Sequence, residues 1–230
     1  MTASAGLLPA LVVFDLAGTT VRDDGQVPAA FTAALAGQGV HVTAQRIADV
    51  RGSSKKDAIR HFIPNAPDHA ERVGEAYAAF QRGLSGLYEA GGVTAMPGAT
   101  ATFAWLRDRG VRIAFNTGFD RVITTLLLEG LRWSKGIADA VVCGDDVERG
   151  RPAPDLIRKA MALAGVDDPR RVANVGDTAL DLLAGDAASV RWNIAVLSGA
   201  HDRARLEAAP HTCILESVAR VHTLWSSPPA

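Results

Sequence analysis

Val12-Val13-Phe14-Asp15-Leu16-Ala17-Gly18-Thr19-Thr20 is an apolar run that stops at an aspartate and then turns at a glycine. Such a short, unalternating run, beginning at Leu11, suits a strand buried on both faces of a parallel sheet. Four more runs read the same way. Val111 to Phe115 ends at Asn116-Thr117-Gly118, and Ala140 to Val142 ends near Gly144-Asp145-Asp146. Val172 to Val175 ends at Gly176-Asp177, and Ile194 to Leu197 ends at Ser198-Gly199. Helical stretches separate most of them. Pro97 to Arg109 precedes Gly110, Asp120 can cap a helix ending near Gly130, Pro154 to Ala164 precedes Gly165, and Thr178 to Ala188 carries three leucines. The alternation predicts an α/β fold with a Rossmann-like, doubly wound parallel sheet. Ligands of such sheets bind beyond the carboxyl ends of the strands, so all five polar termini point to one edge.

Residues 23–94 interrupt the alternation. Ala29 to Ala36 and His69 to Leu87 have helical patterns, and no convincing strand lies between them. Asp24-Gly25 and Ala90-Gly91-Gly92 are the predicted joints of this insert. The formal net charge of -1 leaves no electrostatic footprint for nucleic acid or an anionic membrane. Cys143 and Cys213 fit no metal spacing and read as reduced thiols of a cytoplasmic protein. The apolar run from Leu7 to Phe14 is too short to span a bilayer, and the tail from Ser226 to Ala230 is expected to fray.

Taken together, Asp15, Thr117, Arg151 in Gly150-Arg151-Pro152, and Asp177 in Gly176-Asp177-Thr178-Ala179-Leu180-Asp181 resemble the ordered motifs of the haloacid dehalogenase (HAD) superfamily. A turn-forming aspartate is the plainer reading of Asp15 taken alone. The resemblance implies that its carboxylate attacks phosphorus and forms an aspartyl-phosphate. It implies Mg2+ held by Asp15, the backbone carbonyl of Ala17 and Asp177. Thr117 and Gly118 would contact phosphate oxygens, Gly18 would permit the turn, and Thr19 would hydrogen-bond near the phosphoryl group. Arg151 would neutralise charge on the transferring group, with Arg149 more exposed to solvent. Asp181 would support the metal site or orient a neighbouring cation, or simply pair with a helix N-terminus. The superfamily inserts a helical cap between its first two strands, which implies core residues 1–22, an all-helical cap at 23–94, and core again at 95–230.

Ala17 stands where most phosphatases of the superfamily carry a proton-donating aspartate. Asp15-Leu16-Ala17-Gly18-Thr19-Thr20, Gly52-Ser53-Ser54-Lys55 and Gly150-Arg151-Pro152 resemble the phosphonoacetaldehyde hydrolases, or phosphonatases. Cleaving a phosphorus–carbon bond leaves a carbanion, and phosphonatases accept its electrons on a Schiff base formed by a cap lysine. Lys55 resembles that lysine. Ser53 or Ser54 could cap the next helix, with Ser54-x-x-Asp57 echoing a capping box. The positive helix end and Lys56 would then favour the neutral amine of Lys55. Lysines in similar cap loops also serve only to bind substrate. The chain departs from phosphonatases at Ala58, where they have histidine, and at Arg51, where they have methionine; a cysteine they carry falls at Gly25 or Gln26. His61, one turn on, is a weak substitute for the histidine. Gly52 and Arg51 would meet the substrate, and Arg51 suggests a more anionic one. Three readings stay open: P–C bond hydrolysis of a small organophosphorus substrate, phosphate-ester hydrolysis of the phosphoglycolate phosphatase type, and a non-catalytic phosphometabolite sensor. The resemblance is compatible with a monomer or a cap-mediated homodimer.

Overall fold

The computed structural model describes residues 7–226, so residues 227–230 of the predicted frayed tail lie outside the described residues. The chain runs through β1 (Leu11–Asp15), then α1 (Gln26–Ala36), α2 (Ala44–Asp49), α3 (Lys55–Phe62) and α4 (His69–Gly91). After α5 (Ala99–Arg107), strands and helices alternate as β2 (Arg112–Asn116), α6 (Arg121–Gly130), β3 (Ala140–Val142) and α7 (Asp155–Leu163). They continue as β4 (Val172–Gly176), α8 (Ala179–Ala187), β5 (Trp192–Val196), α9 (Arg203–Glu207) and β6 (Cys213–Leu215). The sheet is parallel throughout, in the order β3-β2-β1-β4-β5-β6. Five strands match the predicted runs; β6 is an addition. It is an edge strand whose three residues are all only half-buried, so it lacks the apolar signature of the others.

All of β1 is buried, and its side chains alternate between two layers. Leu11 and Val13 face α7 and α8, packing with Leu156, Ile157 and Ala184. Val12 and Phe14 face α5 and α6, packing with Phe103, Leu106, Ile123 and Leu127. Phe103 is the hub of that second layer. Its ring centroid lies 5.2 Å from Phe14, 5.5 Å from Phe115 and 5.1 Å from Trp133, each edge-on. Phe103→Ala should therefore cost about 3–5 kcal/mol of unfolding free energy, read as a lower denaturant midpoint at unchanged slope.

The helices α1 to α4 follow β1 and precede α5 and β2. Phe31 of α1 packs edge-on against Phe80 of α4 and Phe62 of α3, with centroids 5.9 and 6.0 Å away. Gly25 and Gly92, at the predicted joints, take φ of +104 and +76. That left-handed backbone is costly for residues with a Cβ. α4 runs past the predicted Leu87, because Tyr88 remains buried. Ser54 does stand at the N-cap of α3, but its side chain makes no capping bond. Asp57 pairs with Arg60 instead, so the predicted capping box is absent. No helix among the described residues is long and apolar enough to cross a membrane.

Beyond β1 the sheet order reverses, with β2 on one side and β4 on the other. Register puts Asp15 level with Asn116 and Phe14 level with Val175. Asp177 therefore lies one step past the end of β4, across the crevice from Asp15.

Candidate active site

Asp15 ends β1 almost fully buried, and the Arg151 guanidinium lies beside it. Arg151 Nη1 is 2.8 Å from Asp15 Oδ1 and 2.9 Å from Asp181 Oδ1. Arg151 Nη2 donates to Asn116 Oδ1 at 2.6 Å and to the Asn116 carbonyl at 3.2 Å. Its Nη1 also donates to the Gly52 carbonyl at 3.3 Å. The guanidinium fork is thus aimed by two strand ends and two carboxylates. Arg149, by contrast, is exposed and pairs with Asp155.

Asp177 is held from both sides. Thr19 Oγ1 donates to its Oδ1 at 3.0 Å, and the Ala200 N–H donates to its Oδ2 at 2.7 Å. The sequence places the Thr19 hydroxyl beside a phosphoryl group; it is instead committed to the carboxylate. Glycines make the close approach possible. A Cβ on Gly18, whose φ is +93, or on Gly199 would overlap the Asp177 carboxylate. Gly199→Ala should displace that carboxylate and lower divalent-ion affinity or activity by about 10- to 100-fold. The Mg2+ dependence of turnover measures it.

Asp181 combines two of the roles foreseen for it. Its Oδ1 orients Arg151, while its Oδ2 accepts from the Thr178 N–H at 3.0 Å. Thr178 Oγ1 in turn accepts from the Asp181 N–H at 3.3 Å, closing a capping box at the start of α8.

Of three buried carboxylates, Asp15 and Asp181 pair with the one guanidinium, while Asp177 lies close enough only to feel its charge. Burial pushes Asp15 up to about 7; Arg151 opposes that rise, and Asp181 and Asp177 add to it. Burial, then Asp181, pushes Asp177 up to about 6. Burial works against the Arg151 charge, but Asp181 and Asp15 outweigh it and raise its pKa. The excess negative charge is what a divalent cation would neutralise. Asp15 and Asp177, with the Ala17 carbonyl, offer hard oxygen donors suited to Mg2+. Among the described residues no group of three or more His, Cys, Asp or Glu side chains forms a metal site. Two carboxylates alone would be a sparse donor set, so a cation between Asp15 and Asp177 would also draw on the backbone carbonyl of Ala17.

Lys55 opens α3 and is buried. Its N–H donates to the Gly118 carbonyl at 3.3 Å, and Nζ donates to the Ser53 carbonyl at 3.1 Å. Nζ also sits 5.1 Å from the centroid of the Phe119 ring. Among the described residues no carboxylate lies within ion-pair distance of it. Burial first, and Arg51 second, push the ammonium down to about 8. The sequence points to the helix end and to Lys56 for this effect; Lys56 is exposed, and burial and Arg51 are the leading causes instead.

Gly52 and Gly118 let the Lys55 loop dock. A Cβ on Gly52, whose φ is +90, would overlap Thr178 Oγ1, and one on Gly118 would overlap the Ser53 carbonyl. Arg51 does not present a free charge for an anionic substrate: its guanidinium lies 2.6 Å from Asp23 Oδ2. His61 is exposed and Ala58 is buried, and neither lines the cavity.

The cavity itself brings together Asp15, Ala17, Arg51, Gly52, Lys55, Thr117, Gly118, Arg151 and Asp177, joined by Val27, Phe119 and Thr178. Gly18, Thr19 and Asp181 stand behind it rather than in its wall. Its volume of about 20 Å³ holds roughly one water. Anything larger than water enters only if the lining segments move apart. Asn116, Phe119, Ala200 and His201 are additions to the predicted set. Only Asn116 had a signal, as the polar end of β2.

Residues 9–189 match the family model of the haloacid dehalogenase-like hydrolases. A phosphonoacetaldehyde hydrolase of Hahella chejuensis is 30% identical over 205 residues, which is 83% of this chain and 69% of that one. The crystal structure of a hydrolase from Pseudomonas syringae superposes with a TM-score of 0.82 at 24% identity, over 93% of this chain and 96% of that one. A phosphonoacetaldehyde hydrolase-like protein from Oleispira antarctica gives 0.81 at 21% identity, over 97% and 95%. The chain is therefore an enzyme that belongs to the haloacid dehalogenase-like hydrolases, in their phosphonatase-like branch.

Proposed function

We propose that this hydrolase cleaves the phosphorus–carbon bond of a small aldehyde phosphonate of the phosphonoacetaldehyde type. One observation carries the reading: a buried lysine without a carboxylate partner, pushed down to about 8, shares a closed cavity with Asp15, while position 17 offers no proton donor. The names of the curated relatives support it.

In this scheme the neutral Lys55 amine adds to the aldehyde carbon, and loss of water leaves an iminium. The Asp15 carboxylate attacks phosphorus, and the P–C bonding pair moves into the iminium as an enamine. Protonation at carbon and hydrolysis return acetaldehyde and free Lys55. Water hydrolyses the aspartyl-phosphate and releases phosphate. Arg151 steadies the oxygens of the transferring group. Thr117 and Gly118 bind them from the end of β2. Asp15, the Ala17 carbonyl and Asp177 would hold Mg2+, which when bound neutralises the phosphonate dianion beside the attacking carboxylate. Helices α1 to α4 act as a cap over residues of the core.

A second reading, phosphate-ester hydrolysis, draws on one feature: no histidine lines the cavity to relay protons during imine formation. A general acid is typically worth about 10²–10⁴-fold, so an ester with a good leaving group could react without one. Phosphate release from phosphonoacetaldehyde and from a panel of phosphate esters, with Mg2+, separates the two. Turnover of esters alone excludes P–C cleavage, and turnover of neither favours a phosphometabolite sensor.

A further inference from the structure

We propose that His201 is a positioning residue that clamps the loop bearing Lys55 onto the loop bearing Asp177 and so holds the cavity closed. The proposal rests on the Lys55 loop belonging to the reacting site, but not on which substrate that site takes. His201 follows β5, is buried, and lies outside the motifs that define the family resemblance. Its own N–H donates to the Asp177 carbonyl at 3.3 Å. Two nearby upstream residues belong to the same support: Ala200 donates to the Asp177 carboxylate, and Ser198 Oγ donates to the Gly18 carbonyl at 2.9 Å.

The ring joins that support to the helical segment. Nδ1 lies 3.0 Å from the N–H of Ala179, at the start of α8. A backbone N–H only donates, so Nδ1 is the acceptor and the ring proton resides on Nε2. Nε2 lies 3.1 Å from the Ala48 carbonyl and therefore donates to it. Ala48 is in α2, and the same carbonyl accepts from the Arg51 N–H at 3.2 Å. One imidazole thus links the first turn of α8 to the segment Arg51-Gly52-Ser53-Ser54-Lys55. Arg205 and Asp49 make a parallel tie at 2.8 Å, but both are solvent-exposed enough for that pair to be weak. The bonds from Arg151 to Gly52 and from Lys55 to Gly118 are both 3.3 Å long. The His201 bond is shorter than either.

The two ring nitrogens can be separated by substitution. His201→Asn keeps an acceptor near the Nδ1 position and loses the reach to Ala48. His201→Gln keeps a donor near the Nε2 position and loses the bond from Ala179. Hydrogen–deuterium exchange on the full chain reads the result without requiring turnover, so failure of the substrate reading would not affect it. In His201→Asn, amides of residues 46–58 should exchange about 5- to 30-fold faster, the factor for one or two kcal/mol, while β4 keeps its protection. His201→Gln should restore slow exchange to residues 46–58. The proposal is overturned if residues 46–58 do not respond in His201→Asn, or if Gln and Asn loosen them equally. It is also overturned if β4 loosens as much as the loop, or if neither variant folds, since His201 would then be a part of the general core.

Discussion

Asp15→Asn should abolish turnover, on the order of 10⁴-fold or more, while the protein stays folded. Asparagine keeps the shape of the side chain but cannot attack phosphorus and keep the product as an acyl phosphate. Removing one partner of a buried ion pair usually destabilises by stranding the other charge. Here Arg151 keeps Asp181 at 2.9 Å and the two bonds to Asn116, so it is not stranded. The sign of the stability change follows from the raised pKa of Asp15. Its folded value of about 7 lies above the ordinary 3.8, chiefly because of burial. Below about 4 the carboxyl is protonated in both states and contributes nothing. Between about 4 and 7 only the unfolded chain ionises, so native stability falls as pH rises, and above 7 the loss is complete. Asparagine has no proton to lose. Without divalent ions, the variant should therefore match the parent near pH 4 and exceed it near pH 7 in thermal unfolding. Phosphate release in the presence of Mg2+ measures the catalytic half. Turnover within tenfold of the parent would remove Asp15 from the chemistry, and a variant that unfolds at pH 7 would contradict the charge balance drawn around Arg151.

The two halves of that experiment rest on features of unequal legibility. Asp15, Thr117, Arg151 and Asp177 lie far apart in sequence, yet each ends a strand or follows one, and a parallel sheet gathers strand ends at one edge. That is why β1 to β5, each a short apolar run, are enough to make these residues converge. β6 escapes because half-buried edge residues need no such run. Supporting atoms are hidden for a different reason. The Ala200 N–H that holds Asp177 is backbone, and any residue could supply it. The Thr19 hydroxyl has two possible destinations, and only the packing of Gly18 and Gly199 around Asp177 decides between them. Arg51 looks like a free cation for substrate because Asp23, far along the chain, cannot be assigned to it from sequence. His201 carries no sequence signal at all: its importance comes from touching Ala48 and Ala179 at once.

Lys55→Arg should eliminate P–C cleavage, by about 10³-fold or more, and with it the adduct trapped by borohydride in the presence of phosphonoacetaldehyde. Arginine retains a positive charge and a long stem, but it stays protonated and forms no imine under these conditions. Lys55 is different because it is buried and Arg51 stands near, which together push it down to about 8 against the attraction of Asp15. At pH 7 roughly one lysine in ten is then neutral, against roughly one in three thousand for an ordinary side chain. Adduct formation should accordingly climb with pH and level off just above 8. Arg51→Gln removes the second largest cause and also frees Asp23, which attracts the ammonium, so both changes move the midpoint upward. Comparing Lys55→Arg with the parent divides the possible roles of the lysine. If Lys55 only binds anionic oxygens, arginine preserves most of the activity, the adduct never forms, and p-nitrophenyl phosphate is turned over about as well by either protein. If it is the electron sink, arginine loses phosphonate cleavage but retains whatever slow ester hydrolysis Asp15 and Arg151 support by themselves. Mass spectrometry of the reduced adduct assigns the modified residue, and a substrate-derived mass on any lysine other than Lys55 would transfer the role elsewhere.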